Sequence, residues 1–204
     1  MKVAIVGGTG AFGRALAKRL HEIGKDEVLV GSRDAERAEE TAAELGVVGG
    51  RNDQILDGVD IVVLAVKSDA TLATASELAE AIGKTPVLCV ASDLRFSAGG
   101  VLPGRHQGSL AEEVARIVRA PVASGLQSFA AANLVEGDPG DALICGGDDR
   151  AKELSLELAG RVAERAVDVG PLENSRALEG MTAVILNVNK RYKAHAGIRL
   201  TGLP

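Results

Sequence analysis

Residues 2–13 read KVAIVGGTGAFG: five residues, four of them apolar, run straight into a turn holding four glycines. A short β-branched run that ends in glycines and is followed by apolar residues at helical spacing is a strand–turn–helix unit. Leu16, Leu20 and Ile23 supply that spacing, and Gly24 the stop. Gly8, Gly10 and Gly13 then fit the GxGxxG dinucleotide fingerprint in the setting it requires. One glycine permits the tight turn, the next lets a pyrophosphate approach the backbone, and the third lets helix pack on strand. Free N–H groups and the helix dipole face the anion. A tight turn with no ligand is the alternative; the flanking strand, helix and βαβ continuation favour the cradle.

Outward from this unit, short apolar runs alternate with helical stretches, which predicts a parallel sheet. EVLV (27–30) reads as the second strand, and 34–45 as a helix with Asp34 as N-cap and Gly46 as stop. VV at 47–48 is an abbreviated strand. VDIVVLAV (59–66) is the strongest strand, its continuous apolar run implying burial on both faces. Ser68 is expected to cap a helix to Ile82, and TPVLCVAS (85–92) to carry the next strand. DLRFSAGGVLPGRHQG (93–108) reads as a glycine-rich loop without structure of its own, a kind that is usually functional. A helix over 109–118, strands near 121–124 and 142–145, and helices over 149–162 and 173–192 follow. The last carries Leu178, Met181, Val184, Ile185 and Val188 at the spacing of a buried face, packed either within the chain or in a dimer. The expected fold is α/β: a Rossmann-type doubly wound parallel sheet with a small C-terminal α/β part ending in a long helix. Residues 1–125 would form the dinucleotide-binding domain and 126–204 the C-terminal part.

Composition narrows the function. The 204 residues are 46% hydrophobic and 25% charged, which is ordinary for a soluble globular protein. No apolar run approaches the roughly 20 residues of a membrane span, and no signal peptide is read at the start, so a cytoplasmic protein is expected. Cys89 and Cys145 each end an apolar run and are expected to be buried reduced thiols; no histidine or cysteine has metal-ligand spacing to them. Residues 1–185 carry 19 basic and 28 acidic side chains, a balance of −9, whereas residues 186–204 carry four basic and no acidic ones. An acidic body with four aromatic residues in the whole chain is not a nucleic-acid surface.

The second strand decides which dinucleotide fits. An NAD site wants an acid at its end for the ribose diol. Here stand Gly31, Ser32 and Arg33, with Arg37 a helical turn further. Guanidinium forks match phosphate geometry, so Ser32, Arg33 and Arg37 point to the 2′-phosphate of NADP; the other reading is that both arginines pair with Asp34, Glu36 or Glu40. Little else offers acid–base chemistry. Tyr192 is the one tyrosine and lacks a lysine four residues on, against a short-chain dehydrogenase. Lys67, after the strongest strand, is either a catalytic lysine or a solvated loop lysine. A chain rich in cofactor signal and poor in proton-transfer residues suggests hydride exchange between two cofactors, with no catalytic side chain and no metal.

AIVGGTGAFGRALAKRL (4–20), VLVGSRDAERAEE (28–40), LICGGDD (143–149) and above all VGPLENSRALEGMTAVILNVNKRY (169–192) with GIRL (197–200) resemble the NADPH-dependent coenzyme F420 reductases. The resemblance implies a homodimer of Rossmann chains that moves a hydride between NADP and C5 of the deazaflavin coenzyme F420. It further implies that Thr9, Gly10, Ala11 and Phe12 hold the pyrophosphate, and Ser32, Arg33 and Arg37 the 2′-phosphate. Val66, Lys67, Gln127 and Ala131 would line the cofactor site, and Ser92, Asp93, Leu94 and Ala196–Gly197–Ile198 the deazaflavin cleft. The chain departs from the family at two places. Gln127-Ser128-Phe129-Ala130 replaces a His-x-(hydrophobic)-Pro segment, and Lys67 stands where proline is common.

The deazaflavin carries a phosphate and an oligoglutamate tail. Arg95, Arg105, Lys190, Arg191 or Lys193 would steer it, or the last three would simply complement the negative end of the terminal helix. Two other functions stay open at this point: an NADPH-dependent reductase of an imine, ketone or ferric chelate, and a non-catalytic NADPH-binding redox sensor.

Overall fold

The computed structural model describes residues 1–104, 107–137 and 140–203; Arg105 and His106 lie outside them. The chain order is β1 (Lys2–Val6), α1 (Ala11–Ile23), β2 (Glu27–Ser32), α2 (Ala35–Leu45), β3 (Val48–Arg51), β4 (Ile61–Leu64), α3 (Ser68–Ile82) and β5 (Val87–Cys89). There follow β6 (Leu94–Ser97), β7 (Gly100–Pro103), α4 (Leu110–Ile117), β8 (Val122–Gly125), α5 (Ala131–Glu136), β9 (Asp141–Gly146), α6 (Asp149–Val162), β10 (Arg165–Asp168) and α7 (Ser175–Tyr192). One eight-stranded sheet runs β10-β9-β8-β5-β4-β1-β2-β3. Its pairings are parallel except between β8 and β9. This is the doubly wound architecture expected, with the strand order reversing between β1 and β4. The sheet continues without a break across residue 125.

Helices cover both faces, which is why the central strands are apolar throughout. Val63 of β4 packs with α1 and α6, through Leu16, Leu20, Leu154 and Leu158. Val62 and Leu64 pack with α3 and α4, through Leu78, Ile82 and Val114. Cys89 and Cys145 are free and buried, as expected.

Four expectations are corrected. Ser68 is not the cap of α3: Lys67 occupies that position, no side chain caps the helix, and the Lys67 carbonyl instead accepts from Ala70 N–H and Thr71 Oγ1. Residues 93–108 are not a structureless loop, since β6 and β7 form an antiparallel hairpin across 94–103. Asn187 of α7 acts as its partner, accepting from Val101 N–H at 2.9 Å and donating to Val101 C=O at 2.7 Å. The helix begins at Ser175 rather than 173, after a 3-10 turn over Leu172–Asn174. Its apolar stripe is also divided: Leu178 and Ile185 are buried, but Val184 is 61% exposed and Val188 36%. α5 and β10 were not foreseen.

Burial pushes both thiols from an ordinary value of 9.0 up to about 12. The native state thus holds these protons more tightly than the unfolded chain. Their contribution to stability is complete below about pH 9 and declines as pH rises above it. Native protein at pH 8 is expected to resist iodoacetamide, with both cysteines alkylated only in denaturant, as intact-mass analysis would read.

Candidate functional site

Because six neighbouring strands from β3 to β8 run parallel, their carboxyl ends share one edge, and the loops leaving them gather there. In open α/β sheets ligands bind in that crevice, at the point where strand order reverses. The glycine turn stands on β1 at this reversal. Gly7 and Gly8 N–H both donate to the Gly31 carbonyl at the end of β2, at 3.1 and 2.9 Å, which ties the turn to the neighbouring strand. A Cβ on Gly13 would lie 2.7 Å from Gly7 O and 2.8 Å from Gly8 Cα, so α1 can leave this close to the strand only with glycine there. Gly10 takes the N-cap position and no side chain caps α1. The first-turn N–H groups of Ala11, Phe12 and Gly13 therefore face the crevice with the positive end of the helix dipole. Thr9 is half-buried, Gly10 and Ala11 are exposed, and Phe12 packs on the core.

At the end of β2, Ser32 Oγ accepts from Asp34 N–H, and Asp34 Oδ1 accepts from Arg37 N–H as the cap of α2. Among the described residues, the Arg33 and Arg37 side chains are exposed and in no ion pair, so the reading that paired them with nearby acids is not what the structure has. Sequence reasoning missed a third arginine. Arg51 at the end of β3 is in register with Ser32, which sets the two side chains on one face of adjacent strands. Its Nε donates to Asp53 Oδ1 at 3.1 Å, and this contact holds the Asp53 carboxyl below its usual range. No local pattern marks Arg51; the pairing does.

Val66, half-buried after β4, abuts the glycine turn: a Cβ on Gly7 would lie 2.7 Å from Val66 Cγ1. Lys67 is exposed at the α3 cap position.

Past β5 and β8 the edge is polar and tightly bonded. Gln127 is buried, its Nε2 donating to Ser124 Oγ at 2.6 Å and to Cys89 C=O at 3.4 Å. Those two acceptors orient the amide and leave Oε1 buried with no partner among the described residues. Leu126, just before it, sits at φ +66°, a left-handed conformation uncommon for leucine. Ser92 Oγ lies 3.0 Å from Thr182 Oγ1, which also donates to Gln127 C=O at 3.2 Å. Buried Glu179 accepts from Leu110 N–H at 2.8 Å and Asp93 N–H at 3.3 Å. Thr182 and Glu179 were also missed; both lie on α7 and reach segments about 70 to 90 residues away. Leu94 begins β6 and Ala131 begins α5, both half-buried. Ala196, beyond the end of α7, donates its N–H to Asn189 Oδ1 on the last turns of that helix, at 2.6 Å. Lys190, Arg191 and Lys193 are exposed at the C-terminal end of α7, as is Arg95 on β6.

The chain is similar to known proteins over its whole length. Residues 2–91 match the family model described as NADP oxidoreductase, coenzyme F420-dependent. An F420-dependent NADP reductase of Methanocaldococcus jannaschii is 34% identical over 224 aligned positions, covering 100% of this chain and 99% of that protein. One from Methanothermobacter marburgensis is 36% identical, with 100% of both chains covered. The crystal structure of a candidate F420-dependent NADP-reductase from Arthrobacter sp. FB24 superposes with a TM-score of 0.85 over 98% of this chain and 99% of that one, at 24% identity, and so shares the fold. With a third of its residues identical from end to end, the chain belongs to the family of F420-dependent NADP reductases.

Proposed function

We propose that the protein transfers a hydride between NADP(H) and coenzyme F420, with residues 1–125 holding the nicotinamide cofactor and 126–204 completing the deazaflavin cleft. The observation that carries this reading is an uncapped glycine turn beside exposed Arg33, just after β2, and Arg37, on the first turn of α2, neither of them in an ion pair among the described residues. Those groups fit NADP: the N–H groups of Ala11, Phe12 and Gly13 take the pyrophosphate, and Ser32, Arg33, Arg37 and Arg51 surround the 2′-phosphate. Val66 limits how far a ring can settle toward the glycine turn. Ser92, Leu94, Gln127, Ala131 and Ala196 are the residues we assign to the facing rings. With both held here, the nicotinamide and the deazaflavin would exchange the hydride between their rings. The chain's own groups bind, orient and exclude water, so the barrier falls chiefly through positioning.

We further propose that it works in the cytoplasm as a homodimer. Among the described residues no helix is long and apolar enough to cross a membrane. Exposed Val184, Val188 and Tyr192 on α7, with Phe96 and Leu102 on the hairpin packed against it, form the apolar surface we assign to the dimer. Sedimentation velocity is expected to give the mass of two chains, and V184E with V188E to give one.

Each arginine contact to the 2′-phosphate is worth roughly 1.5–3 kcal/mol before solvent screening, that is, about tenfold or more in affinity. R33A with R37A is expected to raise the KM for NADPH at least about tenfold while leaving that for NADH nearly unchanged. An equal loss with both cofactors would refute the assignment. For the basic cluster at the end of α7, K190A with R191A is expected to raise the KM for F420 at low salt and to flatten its salt dependence. Unchanged kinetics would leave those side chains the simpler task of complementing the helix end.

A further inference from the structure

β9 runs against β8, so its first residues stand at the carboxyl edge of the parallel strands, where the ligand crevice lies. β10 runs parallel to β9 and brings Arg165 level with Asp141 on that same edge. Along it lies the segment that follows α7, residues 194–200. The segment has no helix or strand of its own, yet it is bonded at nearly every step. Ala196 N–H reaches Asn189 Oδ1, and the His195 carbonyl accepts from Asn133 Nδ2 at 2.7 Å. The Ile198 carbonyl accepts from Asp141 N–H at 2.7 Å.

The strongest hold is at Leu200. Its N–H donates to Asp141 Oδ2 at 2.6 Å, and its carbonyl accepts from Arg165 Nη2. Arg165 at the same time grips both oxygens of Asp141, with Nε to Oδ1 at 3.0 Å and Nη2 to Oδ2 at 2.7 Å. One ion pair thus supplies the acceptor and the donor that a neighbouring strand would supply. Asp141 is fully buried, and a buried carboxylate is tolerable only with its lone pairs filled. Here Arg165 and the Leu200 N–H fill them, and both draw its carboxyl below the usual range. Gly140 completes the seat. It stands at φ +72°, and a Cβ there would lie 2.3 Å from Ile198 O.

We propose that Asp141 and Arg165 are positioning residues: a clamp that holds residues 194–200 against the ligand edge, so that Ala196, Gly197 and Ile198 form a fixed wall of the acceptor pocket. The functional half of this rests on the reading of the acceptor as the flat deazaflavin. An unclamped segment of this kind would sample many conformations and would have to be ordered anew each time the acceptor bound, which weakens binding without altering the chemical step.

The test uses Asp141→Asn, which weakens the ion pair, and Gly140→Ala, which wedges the segment away while leaving that pair in place. Hydrogen exchange of residues 194–200, the KM for F420 and the dissociation constant for NADPH are measured on each. The expected result is exchange faster by about tenfold or more in that segment alone, with KM for F420 raised about fivefold and kcat and NADPH affinity within about twofold. Unchanged exchange in both variants overturns the clamp. Faster exchange with unchanged KM overturns the wall while leaving the acceptor assignment standing. If the unaltered protein does not reduce F420 with NADPH, the proposed function falls on its own, and the exchange measurement still decides whether the clamp exists.

Discussion

The ligand edge depends on one close approach of backbone to backbone. Two successive N–H groups, of Gly7 and Gly8, converge on the Gly31 carbonyl, and Gly13 lies so near Gly7 that a single added carbon would collide with it. This contact lets α1 begin directly at the end of β1, uncapped, with its first N–H groups turned outward. Any larger residue would push the helix away from the strand and its dipole away from the crevice. The parallel sheet then brings everything else to the same place, since each βα connection returns the chain to the same end.

The second half of the edge is closed by α7 through polar contacts more than through its apolar stripe. Ser175 meets Ser109, Glu179 meets the N–H groups of Leu110 and Asp93, Thr182 meets Ser92 and Gln127, and Asn187 meets Val101. These residues recur at roughly helical spacing and together face the sheet and hairpin. Buried polar groups of this sort must be matched one by one, so they specify a single seating of the helix where apolar contacts would tolerate several. The same seating turns Val184, Val188 and Tyr192 outward.

Local features carried most of the fold. β1, α1, α2, α6 and the cap at Asp34 all follow from periodicity, glycine stops and capping residues that act within a few positions. The hairpin over 94–103 escaped because its strands are short and largely exposed, and the side chain that bonds it to α7 comes from 86 residues away. Arg51 escaped because only the β2–β3 register brings it to Ser32. Asp141 looks like an ordinary strand-end acid until the sheet sets Arg165 beside it and folds Leu200 back onto both.

By itself, then, the sequence determined the alternation of strands and helices, the glycine turn and the missing acid after the second strand, since each is written in neighbouring residues. Only the tertiary structure decided which face of α7 is buried, that Arg51 stands level with Ser32, and what holds residues 194–200 in place. Those outcomes depend on strand order and on one antiparallel pairing, β8 with β9, which reverses the chain and brings the start of β9 to the ligand edge. Strand direction and side-chain pairing across such separations leave no periodic trace, because they are set by packing and not by the residues next in line.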